Sequence, residues 1–155
     1  MIVATANRRS GRLPGNVLGP GKDGPAARVD SHMSERTVLQ PTAEHPITVT
    51  PTGRHVVVRV GGQVVAETDH ALTLQESTYP AVQYVPLTDV VSSALVSSDT
   101  TTYCPYKGEA SYYGVTAAGQ TVDDVIWTYE QPYPAVAEIA GHVAFYADKA
   151  DVAVG

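Results

Sequence analysis

Hydrophobic positions along this chain repeat mainly with a period of two, the spacing of side chains that alternate between the faces of a β-sheet. Val56-Val57-Val58-Arg59-Val60 is a β-branched run that ends in Gly61-Gly62 and is followed by Gln63-Val64-Val65-Ala66. Two such runs joined by two residues that tolerate positive φ predict a hairpin. A two-residue turn sets Val58 opposite Val65 and Arg59 opposite Val64, with Arg59 projecting from a sheet surface. Residues 71–76 and 82–85 alternate in the same way around Ser77-Thr78-Tyr79-Pro80, so Glu76 falls at a strand end.

Further strands are expected over 110–116 and 125–129, joined across Ala118-Gly119-Gln120, and over 142–146. Asp123-Asp124 then belongs to a solvated hairpin tip. Residues 97–102 are polar and β-branched and read as a loop or edge strand leading into Cys104-Pro105. Two short helices are expected. Asp89 can cap one that runs through Leu95, and Pro134 can start one or two turns over 135–140 that Gly141 stops. The pattern predicts a single mainly β domain over residues 46–152, built of antiparallel strands with one or two short helices.

Upstream of it, residues 7–30 mix Gly, Pro and Arg with small residues and carry neither period. Residues 1–36 are therefore expected to be a disordered tail or a cloning or start-site artefact. Ser31-His32-Met33-Ser34 has the form of a cloning junction followed by a second start methionine.

Charge changes the picture more than overall composition does. Residues 1–36 hold six Lys or Arg against three Asp or Glu, leaving four cations against thirteen acids in the remainder, a net charge of −9. A surface that acidic repels phosphate backbones, so nucleic acid is not an expected partner. No apolar run approaches the ~20 residues of a membrane span, and Met1-Ile2-Val3 leads into polar residues rather than a signal-peptide core. A lone cysteine, Cys104, forms no internal disulfide. A cytoplasmic location is the expectation.

The densest polar cluster is Tyr103-Cys104-Pro105-Tyr106-Lys107-Gly108-Glu109. Pro105 and Gly108 enforce a tight turn that brings Cys104 near Lys107, and a nearby ammonium favours a thiolate. Lys107 is also one of few cations in an acidic domain, a local spot that can capture an anionic group. The plainer alternative makes Cys104 a small hydrophobe and pairs Lys107 with Glu109 or another carboxylate. Nine tyrosines against one phenylalanine suggest a wet, Tyr-lined cavity, because a buried hydroxyl needs a partner. Tyr84, Trp127 and Tyr129 are the candidate walls, although half-exposed strand positions account for many single tyrosines. His55, His70 and His142 match no metal spacing, and no metal site is expected. Nucleophile-elbow, phosphate-loop and dinucleotide signatures are absent from the sequence.

Glu76-Ser77 with Tyr79-Pro80, Tyr84-Val85-Pro86 with Asp89-Val90, Thr102-Tyr103-Cys104-Pro105-Tyr106-Lys107-Gly108 with Ser111-Tyr112-Tyr113, and Trp127-Thr128-Tyr129-Glu130 together resemble one family. It is the domain of unknown function 427 family, and the resemblance runs from about Val56 to Asp148. It implies a small fold of strongly bent antiparallel sheets, a β-tent, with the Cys-Pro-x-Lys-Gly turn near a central cleft and no assigned activity. A nucleotidyltransferase label attached to the family does not carry over, since the Gly-Ser plus Asp-x-Asp pattern of such enzymes is missing here.

Three functional expectations follow. The preferred one is a domain binding a small anionic or polar ligand through Lys107 and Arg59, with Tyr84, Trp127 and Tyr129 as walls. An enzyme would use Cys104 as nucleophile or redox thiol, Lys107 as activator and Glu76 as acid or base. An interaction or self-association module would instead present strand edges and tyrosines to a partner, including a second copy of the chain. The sequence names no cofactor.

Overall fold

A computed structural model describes residues 36–155, so the expected tail lies, apart from Arg36, outside the described residues. Seven strands form one antiparallel sheet in the order β1 (Ile47–Pro51), β4 (Leu72–Glu76), β5 (Val82–Pro86), β9 (His142–Phe145), β8 (Gln120–Thr128), β7 (Gly108–Ala117) and β6 (Leu95–Cys104). Three more form a second sheet, β10 (Asp151–Val154), β2 (Val56–Val60) and β3 (Gln63–Thr68). Neither sheet closes into a barrel. The mainly β, antiparallel architecture agrees with the period-two pattern, and residues 97–102 lie within β6 at the edge of the larger sheet.

The β2–β3 hairpin turns through Gly61 and Gly62 at φ of 59° and 84°, a left-handed pair that a side chain would oppose. Arg59 faces Val64 as expected, but the ladder slips between Val58 and Arg59, so Val58 faces Ala66 rather than Val65. This irregularity places two consecutive residues, Val65 and Ala66, out of solvent. The reason is tertiary. Val91 donates its backbone N–H to the Val65 carbonyl at 2.8 Å, and Ala66 bridges Val90, so residues 87–94 cover the far side of β3.

That covering segment is not the helix expected after Asp89. It contains two short 3-10 turns, Leu87–Asp89 and Ser92–Ala94, separated by extended Val90 and Val91. The Asp89 carboxylate caps nothing and accepts the Thr68 hydroxyl at 2.6 Å. Likewise β8 starts at Gln120, so Asp123 and Asp124 lie within a strand rather than at a hairpin tip. The tip is Ala118-Gly119, with φ of 53° and 78°. Asp124 itself has φ of 52° where the β7–β8 ladder slips, and its carboxylate accepts the hydroxyls of Ser98 and Thr100 at 2.6 and 2.7 Å. After β8, Pro134–Ile139 is a kinked 3-10 segment, and Gly141 turns the chain into β9.

The core has two halves. One is aliphatic apart from Phe145, with Val56, Val58, Val65, Val115, Val125 and Val143 all out of solvent. The other contains Leu74, Tyr84, Cys104, Tyr112, Trp127 and Tyr129. Residues 125–129 of the central strand region are buried without a break, and they pass from the first half into the second.

Candidate functional site: a buried ion pair at the floor of a small cleft

The Cys104–Lys107 turn is closed by the Lys107 N–H donating to the Cys104 carbonyl at 3.2 Å, with Pro105 pre-set for the corner. Gly108 follows at φ of 113°, and a Cβ there would meet the Gln131 carbonyl at 3.4 Å, so residues 131–133 pack closely against the turn. The Lys107 carbonyl accepts the Tyr133 N–H at 3.0 Å. Pinned at both backbone groups, Lys107 folds its side chain inward instead of out to water. Only 2 % of the side chain is exposed.

Its partner comes from β4. Leu74 and Glu76 occupy successive inward-facing positions of that strand, so period two itself delivers a carboxylate to the core. Lys107 Nζ donates to Glu76 Oε1 at 2.6 Å, and the Glu76 side chain is as buried as the lysine. The alternative partner Glu109 lies instead beside Arg36 at 3.6 Å. Lys107 Nζ also approaches Cys104 Sγ at 3.7 Å, so the turn does bring these two together.

The second Glu76 oxygen is held by a residue that sequence reasoning left out. His45 Nε2 lies 2.8 Å from Glu76 Oε2, its ring stacks on Tyr106 at 4.4 Å between centroids, and it meets Tyr79 edge-on at 6.3 Å. His45 sits on a strap over residues 36–46 that crosses the turn. Leu39 N–H donates to the Pro105 carbonyl at 2.9 Å, Tyr103 Oη donates to the Thr37 carbonyl at 2.6 Å, and Arg36 stacks over the Tyr103 ring at 4.4 Å. Residues upstream of the first expected strand therefore pack on the site. The strap carries no hydrophobic period, which is why the pattern did not reveal it.

A small cleft, partly open to solvent, lies over the ion pair. Glu76, Lys107 and Tyr84 supply its polar groups, and Leu74, Val82 and Pro80 its apolar wall, with Tyr79 beside them. Tyr84 Oη accepts the Trp127 indole N–H at 3.1 Å, and its own proton has no acceptor among the described residues. Trp127 thus backs Tyr84 rather than lining the cleft. In the same half of the core, Tyr129 Oη is buried and has no hydrogen-bond partner among the described residues. Burial pushes both hydroxyls above the ordinary tyrosine range, with the Trp127 contact opposing this at Tyr84, so both stay protonated donors near neutral pH.

The structure brings together Glu76, Tyr84, Cys104, Lys107, Trp127 and Tyr129, but not Arg59. That residue lies on β2 of the smaller sheet opposite Asp151, between Val58 and Val60 of the aliphatic half. Cys104 is packed behind Lys107, away from the cleft lining. Among the described residues no group of three or more His, Cys, Asp or Glu could hold a metal ion. The exposed His55 is flanked by Asp69 at 2.6 Å and Glu67 at 2.7 Å, and these hydrogen bonds, Asp69 first, raise its pKa. Among the described residues no helix is long and apolar enough to cross a membrane.

Comparison with known sequences gives one family match, described as a domain of unknown function (DUF427), over residues 48–155. No curated protein matches the chain. The match covers both sheets, the Cys104–Lys107 turn and Glu76, and it leaves out His45 and the strap.

Proposed function

The chain belongs to the DUF427 family, a membership that brings no activity with it, and from the site alone we propose that the protein binds a small ligand through a hydrogen-bond acceptor placed in the Glu76–Lys107 cleft. One observation carries the reading. Lys107 lines the cleft as a buried ammonium whose three donors have two partners, Glu76 and Cys104, among the described residues. An ammonium out of water needs its hydrogen bonds completed, and the open cleft gives a carbonyl or carboxylate oxygen access to the third. Tyr84 adds a second unused donor on the same wall. The apolar side formed by Leu74, Pro80 and Val82 suits the tip of a short aliphatic body, since the cleft itself is small.

Cys104 is 2 % exposed and does not line the cleft, which argues against its serving as the attacking group. The proposed role is non-covalent recognition, with Cys104 as packing behind the lysine. Val82→Phe tests this, because a phenyl at that half-buried position fills the cleft without touching the ion pair. Small amides and carboxylates should raise the melting temperature of the full chain, and the rise should vanish in Val82→Phe. A rise that survives in the variant, or no rise with any such compound, would overturn the reading.

A further inference from the structure

Building on that cleft as the ligand site, we propose that residues 36–46 form a lid over it, latched by His45 on Glu76, which opens about Pro46 with both sheets intact and admits the ligand. The cleft is small as it stands, so anything larger than the tip it accepts needs a wall to move. Most of the walls are fixed. Leu74, Val82 and Tyr84 belong to paired strands, and Lys107 is held at both backbone groups. The β4–β5 turn is tied by the Tyr79 N–H to the Glu76 carbonyl at 2.9 Å and by Gln75 Nε2 to the Tyr79 carbonyl at 2.6 Å.

The strap is built differently. None of residues 36–46 is buried, and none belongs to a helix or strand. Its aliphatic side chains Val38 and Leu39 are 48 % and 42 % exposed, so neither anchors it to the core. What holds it is polar and lies mostly at the surface: the Leu39 N–H on Pro105, the Thr37 carbonyl on Tyr103 Oη, Arg36 over the Tyr103 ring, and His45 on Glu76. A segment with few buried apolar contacts and exposed hydrogen bonds opens at a lower cost than the whole domain. Residues 42–45 close on themselves, the Thr42 and His45 N–H groups each donating to the other's carbonyl at 3.2 and 3.1 Å, so this part moves as one piece. At the far end, the Pro46 carbonyl accepts the Ser77 N–H at 2.8 Å and fixes the chain to the larger sheet. The family match starts at residue 48, so the domain that carries the cleft is defined without the strap.

His45 is where the strap meets the cleft. It contacts two of the lining residues, Glu76 at 2.8 Å and the Tyr79 ring edge-on. Lifting it uncovers the rim beside Tyr79 and frees Glu76 Oε2, while Oε1 stays on Lys107. Water can take over the freed oxygen, so opening strands no buried carboxylate.

Native-state hydrogen exchange of the full chain tests the opening, and isobutyramide, which adds no charge beside Glu76, tests the gate. The Leu39 amide reports the closed lid. It should exchange through a local opening that depends little on urea, at least about 100-fold faster than the paired amides of β8, which need global unfolding. Tyr103→Phe removes the hydroxyl that holds Thr37 and lies outside the cleft lining. It should speed Leu39 exchange by about two- to tenfold and tighten isobutyramide binding by the same factor, because only the open fraction binds. Tyr133→Phe removes only the bond between Tyr133 and Tyr103 and should change neither. Saturating isobutyramide should deprotect Leu39, since the occupied cleft holds the lid open. Leu39 exchange with the urea dependence of β8 would overturn the lid as a separate unit. Isobutyramide binding that is unchanged in Tyr103→Phe, or that protects Leu39, would overturn the gate while leaving the cleft as the ligand site. No binding in either protein, with Leu39 still opening locally, would overturn the cleft reading and the gate with it.

Discussion

The two halves of the core are built from different chemistry on the same central strand. Around Val56, Val58, Val65 and Val143 the side chains are aliphatic and carry no polar atoms to satisfy. Around Tyr84, Cys104, Tyr112, Trp127 and Tyr129, the core instead holds five hydrogen-bonding side chains and abuts a buried ammonium and carboxylate. Burial of apolar area stabilises both halves. The second also carries desolvation costs that a hydrophobic replacement of similar shape would not incur. Among the described residues its polar groups are only partly matched to one another, since Tyr129 has no partner and Tyr84 and Lys107 keep donors unused. Stability alone gives no reason for that arrangement. The ligand recognition proposed above does.

Lys107→Met should sharpen the contrast most. It strands the Glu76 carboxylate in the core and should cost about 3–5 kcal/mol in urea denaturation, whereas Lys107→Met combined with Glu76→Leu should recover most of that loss. Alkali comes next. The Tyr84 and Tyr129 pKa values are raised by burial, so the stability held by their neutral hydroxyls is complete below the unfolded value near ~10 and is lost as pH rises above it. Each ionising hydroxyl should remove about 1.4 kcal/mol per pH unit there, and tyrosinate absorbance should appear together with unfolding. In the aliphatic half, Val65→Ala should cost roughly 2 kcal/mol by loss of burial and creation of a cavity, with ligand binding unchanged.

Tyr129→Phe should be neutral or stabilising by up to about 1 kcal/mol, because it removes a hydroxyl that has no partner. Tyr112→Phe should instead destabilise by about 1 kcal/mol, since that hydroxyl meets Thr102 at 2.9 Å. Equal effects in the two variants would erase the distinction between matched and unmatched tyrosines. The smallest effect belongs to His55. With its pKa raised by Asp69 and Glu67, its contribution is present below the unfolded value and lost as pH rises through the folded one, and an NMR titration of its ring should show the raised midpoint.

The sequence made local order legible and left tertiary pairing obscure. Period two exposed the β2–β3 hairpin, β4 and β5, because alternation is a property of neighbours along the chain. The slip at Val58 was hidden because it depends on residues 87–94 pairing with the free edge of β3. Asp123 and Asp124 read as a solvated tip because the hydroxyls that donate to Asp124 come from β6, on the other side of β7. At the site, the turn chemistry of Pro105 and Gly108 correctly placed Cys104 beside Lys107. Glu76 was visible as a candidate, and its inward phase with Leu74 could have marked it as buried. Its pairing with Lys107 spans 31 residues and carries no local signal. Arg59 was drawn in by the scarcity of cations, a compositional argument that says nothing about which sheet a residue joins. His45 fell outside the expected domain because the strap has no repeating pattern.

The most direct test of the account is a titration of the labelled full chain with isobutyramide, followed by backbone amide shifts. Perturbations confined to the strap and the aromatic half, at residues 37–45, 74–84 and 104–108, with Val58, Val115 and Val143 silent, are the predicted result. Shifts centred on the aliphatic half, or none at saturating isobutyramide, would contradict it.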